Sequence, residues 1–149
     1  MLIIANTSTL SNFASVGRLD LLPARFSALY ISEQVFEEIQ RGLLEGYTFY
    51  TDLAQQIFPF SDTGWLHLTT LDTVDELMTF NRLLSTLHSG EASCLSIAYY
   101  RQWLFLSDDK AARQVAQSMK IPISGTLGIL LSLLKQNRLS LIEADTVLL

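Results

Sequence analysis

Asn6, Glu38, Glu91, Asp108 and Asp109 are the side chains that could act together on a phosphate ester if folding gathers them. Carboxylates that share a site repel one another, and a hard divalent cation bound through oxygen is the usual remedy. Mg²⁺ or Mn²⁺ in such a site activates water and stabilises the charge that builds on a phosphodiester during in-line displacement. The adjacent pair Asp108-Asp109 stands out, because one acid is enough to cap a helix.

The elements that must position these groups follow from hydrophobic spacing. Residues 104–135, LFLSDDKAARQVAQSMKIPISGTLGILLSLLK, read as strand, acidic turn, helix, strand, turn and helix. Parallel strands joined by a helix make a right-handed βαβ unit whose crevice lies beyond the strand carboxyl ends, where Asp108 and Asp109 fall. Leu2 to Ala5 is expected as the first strand, which puts Asn6-Thr7-Ser8 at a second such end, followed by a short helix to Gly17 and a brief one stopped by Pro23. Ala28 to Ile31 is expected as the next strand, with Ser32 capping a helix on which Val35, Phe36, Ile39 and Leu43 share a face. Glu37 then points to solvent, and Glu38 lies at the edge of the apolar stripe. Tyr47 to Phe58 is helix-compatible, a short strand is expected at Trp65 to Leu68, and Thr73 to Glu76 fits a capping box. The helix after that box is carried by Val74, Leu77, Met78, Leu84 and Leu87. Glu91 shares a helical stripe with Cys94, Leu95 and Ala98, so its carboxylate needs a cation, a metal or the helix amides.

Each residue also has a purely structural role open to it. Asp108 or Asp109 can cap the helix from Lys110 to Met119, and Asp109 can pair with Arg113. Glu38 can be a solvated helix residue, Glu91 a first-turn charge and Asn6 a cap. His67 and His88 have no partner or motif. Gly125-Thr126-Leu127-Gly128 lacks the lysine and glycine spacing of a phosphate loop; Thr126 as N-cap and Gly128 as a close-packing point explain it.

Composition narrows the class. The 149 residues carry a net charge of −5 and one cysteine, and 49% are hydrophobic. Disorder and duplex binding through a basic face are disfavoured, an internal disulfide is impossible, and no Cys or His spacing fits zinc. No apolar run has membrane-span length, and MLIIANTSTLSNF lacks the basic start of a secretory signal. A single domain over 1–149 in the cytoplasm, with no membrane contact, is expected. Phe49, Tyr50, Phe58, Phe60 and Trp65 crowd a segment of weak secondary-structure signal, expected as either a homodimer contact or a buried satellite cluster.

In their order, IIANTSTLSNFASVGRLDLL, ISEQVFEEI, SGEASCLSIA and LFLSDDKAARQVAQSMKIPISGTLGILLSLLKQNRLS resemble the PIN-domain superfamily, in its branch of VapC-like proteins near bacterial toxin–antitoxin loci. The resemblance implies an α/β/α sandwich with a central parallel sheet, and an Mg²⁺- or Mn²⁺-dependent ribonuclease that acts on RNA as a toxin restrained by a small antitoxin protein. The family's acidic positions fall on Asn6, Glu38, Glu91 and Asp109, with Asp108 a neighbouring acid. Asn6, Glu91, Asp108 and Asp109 are thereby implied as metal residues, and Asn6, Glu38, Glu91 and Asp109 as catalytic ones. Asparagine stands where the family has aspartate; an amide oxygen can coordinate but brings no charge, which weakens metal affinity. A second reading therefore stands beside the nuclease: a PIN-like module that binds RNA or protein without cutting. Lys110, Arg113 and Arg82 are expected either along an RNA entry rim or as solvated surface charges.

Overall fold

The computed structural model describes residues 2–148. Its strands are Ile3–Ala5 (β1), Leu29–Ser32 (β2), Ile57–Phe58 (β3), Leu66–Thr69 (β4), Leu104–Leu106 (β5) and Ile123–Ser124 (β6). Its helices are Thr7–Ser15 (α1), Leu21–Arg25 (α2), Glu33–Leu44 (α3), Phe49–Ala54 (α4), Val74–Leu83 (α5), Ser89–Arg101 (α6), Lys110–Ser118 (α7), Thr126–Lys135 (α8) and Leu141–Leu148 (α9). The strands form one parallel sheet in the order β3-β4-β2-β1-β5-β6, within a three-layer α/β/α arrangement. The chain leaves β1 towards β2 and later comes back on the other side of β1 as β5. The strand order thus reverses between β1 and β5, and a crevice opens beyond their carboxyl ends.

Ile4, Leu29, Ile31 and Phe105 fill the sheet's centre and are fully buried, with Leu10 and Phe13 of α1 closing over them. Burying a side chain of this size stabilises the fold by roughly 1.5–3 kcal/mol each. Helix α6 lies on β1, β2 and β5 between α5 and α7, so every residue from Ala92 to Ala98 is buried. The Cys94, Leu95 and Ala98 stripe expected to face the core does so, but Ser93 and Ser96 on the other side are buried as well. Their hydroxyls are spent on Ser32 Oγ at 2.7 Å and the Glu76 carbonyl at 2.6 Å.

Several local expectations shift. Pro23 lies inside α2, because a residue without an N–H is tolerated in a first turn. β2 runs on to Ser32, which then caps α3 by accepting from Val35 N at 3.1 Å. The stretch from Tyr47 to Phe58 divides into α4 and the edge strand β3. Gly125, not Thr126, is the N-cap of α8, and Gly128 does provide close packing, since a Cβ there would stand 2.4 Å from Ser124 Oγ. Leu43 is 37% exposed and lies at the edge of the apolar face of α3.

Helix α5 departs most from its pattern. Val74, Leu77 and Met78 point to solvent at 70, 45 and 66% exposure, while Glu76 and Thr79 are buried against α6. A charge network sets this orientation. Arg101 Nε donates to Glu76 Oε2 at 2.8 Å, and its other nitrogens donate to Thr69 Oγ1, the Thr70 carbonyl and Asp72 Oδ2. The guanidinium also stands 5.2 Å over the Trp103 ring. Burial pushes the Glu76 carboxyl up, but the hydrogen bonds from Arg101 and the Asp72 and Thr73 contacts outweigh it, leaving the pKa below its ordinary 4.5. A group lowered on folding contributes stability above its ordinary pKa and loses it as pH falls through the lowered value. Arg101→Ala leaves Glu76 buried and unpaired, at a cost on the order of 3 kcal/mol at pH 7 in urea unfolding. The deficit should shrink at pH 5, since Glu76 now favours its protonated form; a small deficit independent of pH would contradict this account of α5.

Candidate active site

The crevice between β1 and β5 is held by hydroxyls and one amide. Asn6 follows β1, is 3% exposed, and caps α1: its Oδ1 accepts from Ser8 N at 3.1 Å and from Ser8 Oγ at 2.6 Å. Its Nδ2 donates to Ser107 Oγ at 2.9 Å, just beyond β5. Ser107 Oγ accepts a second bond from Asp109 N at 3.1 Å, so one buried hydroxyl joins both strand ends to the start of α7. Asp109 caps α7 through Oδ2, which accepts from Ala112 N at 2.8 Å.

The neighbouring acids divide their work. Asp108 turns towards α1 and α8: its Oδ1 accepts from Thr126 N, and its Oδ2 from Thr9, Asn12 and Thr126 side chains. Gly125 makes room for it, because a Cβ there would stand 2.4 Å from Asp108 Oδ1. The alternative pairing of Asp109 with Arg113 is not among the ion pairs of the described residues; Arg113 donates to the Ser107 carbonyl at 2.9 Å.

Glu38 and Glu91 complete the acidic side. Thr7 Oγ1 donates to Glu38 Oε2, and Glu38 Oε1 lies against Gly90, where an added Cβ would stand 2.0 Å away. Glu91, in the first turn of α6, accepts from His88 N at 3.2 Å. Burial, then the charge of Asp109, raises the Glu91 carboxyl above its ordinary value; Glu38 adds to this and His88 opposes it. Glu38, Glu91 and Asp109 thus come from three helices to within electrostatic reach of one another. In each, a hydrogen bond engages one carboxylate oxygen and leaves the other without a polar partner among the described residues.

Among the described residues, no three acidic, histidine or cysteine side chains stand close enough to form a protein-only metal shell. The donor chemistry still fits a small hard cation, because Mg²⁺ is commonly held by one or two carboxylates and retains several waters. Such an ion would offset both the burial of the Glu91 carboxylate and the nearby charge of Asp109. Glu38 and Glu91 line a cleft of about 320 Å³ together with Arg41, His88 and Ser89. Sequence reasoning passed over Arg41, Gly90 and Ser107 as site residues and set His88 aside; the available signal was spacing, since Arg41 is three residues after Glu38 and His88 three before Glu91. His67, by contrast, sits between the rings of Tyr30 and Phe58, each 5.5 Å away.

Gly90→Ala separates fold from site. The nearest atoms a Cβ would meet belong to the carboxylate of Glu38, and alanine favours a helix, so the melting temperature should hold within a few degrees. Glu38 must move, so affinity for Mg²⁺ should fall about tenfold or more if Glu38 helps to hold the ion. An Mg²⁺ affinity unchanged in titration calorimetry would show that Glu38 has no place in such a site.

Among solved structures, PAE2754 from Pyrobaculum aerophilum shares 12% identity over 91% of this chain and 98% of its own, with a TM-score of 0.59. A PilT N-terminus domain protein, SSO1118 from Sulfolobus solfataricus P2, shares 12% identity over 89% of this chain and 92% of its own, with a TM-score of 0.55. Identities this low carry the fold alone. No curated protein matches the sequence. Among the described residues no helix is long and apolar enough to cross a membrane. The family model DUF3368, described as a PIN domain, matches residues 2–148. By that match over nearly its whole length, the chain belongs to the PIN-domain family DUF3368.

Proposed function

We propose that this PIN domain is a divalent-metal-dependent endoribonuclease of toxin–antitoxin type. The observation that carries the reading is the gathering of Glu38, Glu91 and Asp109 at the strand-switch crevice, each with only one carboxylate oxygen engaged by a hydrogen bond among the described residues. Glu91 and Asp109 would hold the ion through the oxygens that His88 N and Ala112 N leave unengaged. Bound there, Mg²⁺ or Mn²⁺ would lower the pKa of a water and neutralise charge on the phosphodiester. Glu38, fixed by Thr7, offers Oε1 to the proton of the attacking water. Asn6 positions Ser107, and through it Asp109, while Asp108 braces α1 against α8. Exposed Leu44, Phe58 and Phe60 near α3, α4 and β3 offer apolar surface to a small antitoxin. The outward stripe of α5 offers the same to a second copy.

One observation favours the alternative, a PIN module that binds without cutting. Two hydrogen bonds from Ser8 already occupy Asn6 Oδ1, and Asn6 supplies no charge. Cleavage of a mixed single-stranded RNA pool separates the readings, with wild type, Asp109→Asn and Asn6→Asp each in Mg²⁺, Mn²⁺ or chelator. Wild type should cut in a metal-dependent way, Asp109→Asn should lose about a hundredfold or more, and Asn6→Asp should cut faster. Cleavage undiminished by chelator or by Asp109→Asn would contradict the nuclease mechanism; an inactive wild type restored by Asn6→Asp would favour the binding module.

A further inference from the structure

The cleft that holds Glu38 and Glu91 does not end at the carboxylates. Arg41 lies one turn along α3 from Glu38, faces the same cleft as His88 and Ser89, and makes no ion pair among the described residues. A second hollow of about 210 Å³ continues from it, with Glu38 and Arg41 on the shared wall and Glu45, Tyr47 and Tyr50 beyond. Tyr47 is 52% exposed, yet it is backed by Phe49 and Tyr50, whose ring centroids lie 5.9 and 6.1 Å away. Tyr50 itself lies flat on α3, because Gly42 has no Cβ to hold it off; one there would come 2.4 Å from the Tyr50 ring.

The geometry points to a nucleotide subsite next to the carboxylates, in which Arg41 takes a backbone phosphate and Tyr47 stacks the attached base of a single-stranded RNA. A guanidinium without an acidic partner offers a planar fork of donors that matches phosphate oxygens. The hollow beyond it is lined by Tyr47 and Tyr50, which offer ring surface to an uncharged base. An exposed aromatic held by other rings is the surface on which an unpaired base stacks, and a base inside a duplex cannot reach it. The subsite depends on the nuclease reading for RNA lying in this cleft, but its occupancy can be measured without cleavage.

The test is fluorescence anisotropy of a short labelled oligoribonucleotide in Ca²⁺, with cleavage in Mg²⁺ measured in parallel. Wild type, Arg41→Ala, Arg41→Lys, Tyr47→Ala and Tyr47→Phe are compared. Tyr47→Ala should weaken binding about tenfold, within the range for loss of one base–aromatic stack, while Tyr47→Phe stays near wild type. Placing an abasic nucleotide at the stacked position should make wild type and Tyr47→Ala bind equally. Arg41→Ala should flatten the dependence of log affinity on log salt by about 0.7, the value for one single-strand phosphate, and Arg41→Lys should largely restore it. If RNA binds but neither alanine variant changes affinity or salt slope, the subsite is overturned, and metal-dependent cleavage lost in Asp109→Asn would leave the nuclease reading standing. If the variants lose affinity while wild type never cuts, the subsite stands and the nuclease reading falls. If wild type binds no RNA, both fall.

Discussion

A single buried hydroxyl, Ser107 Oγ, links the parts of this site that the chain brings from far apart. It accepts from Asn6 Nδ2 and from Asp109 N, and these two bonds fix the end of β1 relative to the first turn of α7. A hydroxyl oxygen has two acceptor positions, and both are filled, so the junction has little freedom. Asp108 extends the same junction to α1 and α8, spending both its oxygens on Thr9, Asn12 and Thr126. Two adjacent aspartates therefore have different duties. One is consumed as a brace, and the other keeps an oxygen directed away from its cap bond.

With this frame in place, the acidic side is left under electrostatic strain. Thr7 donates to Glu38, which packs into the space that Gly90 leaves, and the N–H of His88 donates to Glu91, so both carboxylates are oriented beside Asp109. Helix N-termini favour negative charge and offset part of the repulsion. Burial first, and then the charges of Asp109 and Glu38, hold the Glu91 carboxyl above its ordinary value. A bound cation would lower the energy of the cluster in place of a proton on Glu91, which is how the fold of this PIN domain and its proposed chemistry connect.

The strand ends and the acids they carry were legible in the sequence because both depend on local signals. Short apolar runs stop at Asn6, Ser32 and Ser107, and a parallel sheet puts functional groups at such stops. Helix α5 was not legible in this way. Its apolar residues at Val74, Leu77 and Met78 predict a buried face, but the orientation is decided by Glu76 meeting Arg101, 25 positions away. No periodicity within α5 carries that information. Arg41 went unremarked and His88 was set aside for want of a partner or motif, because only the crossing of α3 with the start of α6 places them on one cleft. Asn6 was legible as a departure from the family pattern, whereas its saturation by Ser8 is a product of tertiary geometry.

Titrating the Glu91 side-chain carboxyl by carbon-detected NMR, with and without saturating Mg²⁺, tests the central claim most directly. Without metal the pKa should lie above that of an ordinary glutamate, and Asp109→Asn should bring it down by removing a neighbouring charge. With Mg²⁺ it should fall below the ordinary value, because a bound cation favours the charged form. A Glu91 that titrates normally, or that keeps the same raised pKa in saturating Mg²⁺, would contradict the account of a carboxylate cluster built around a metal ion.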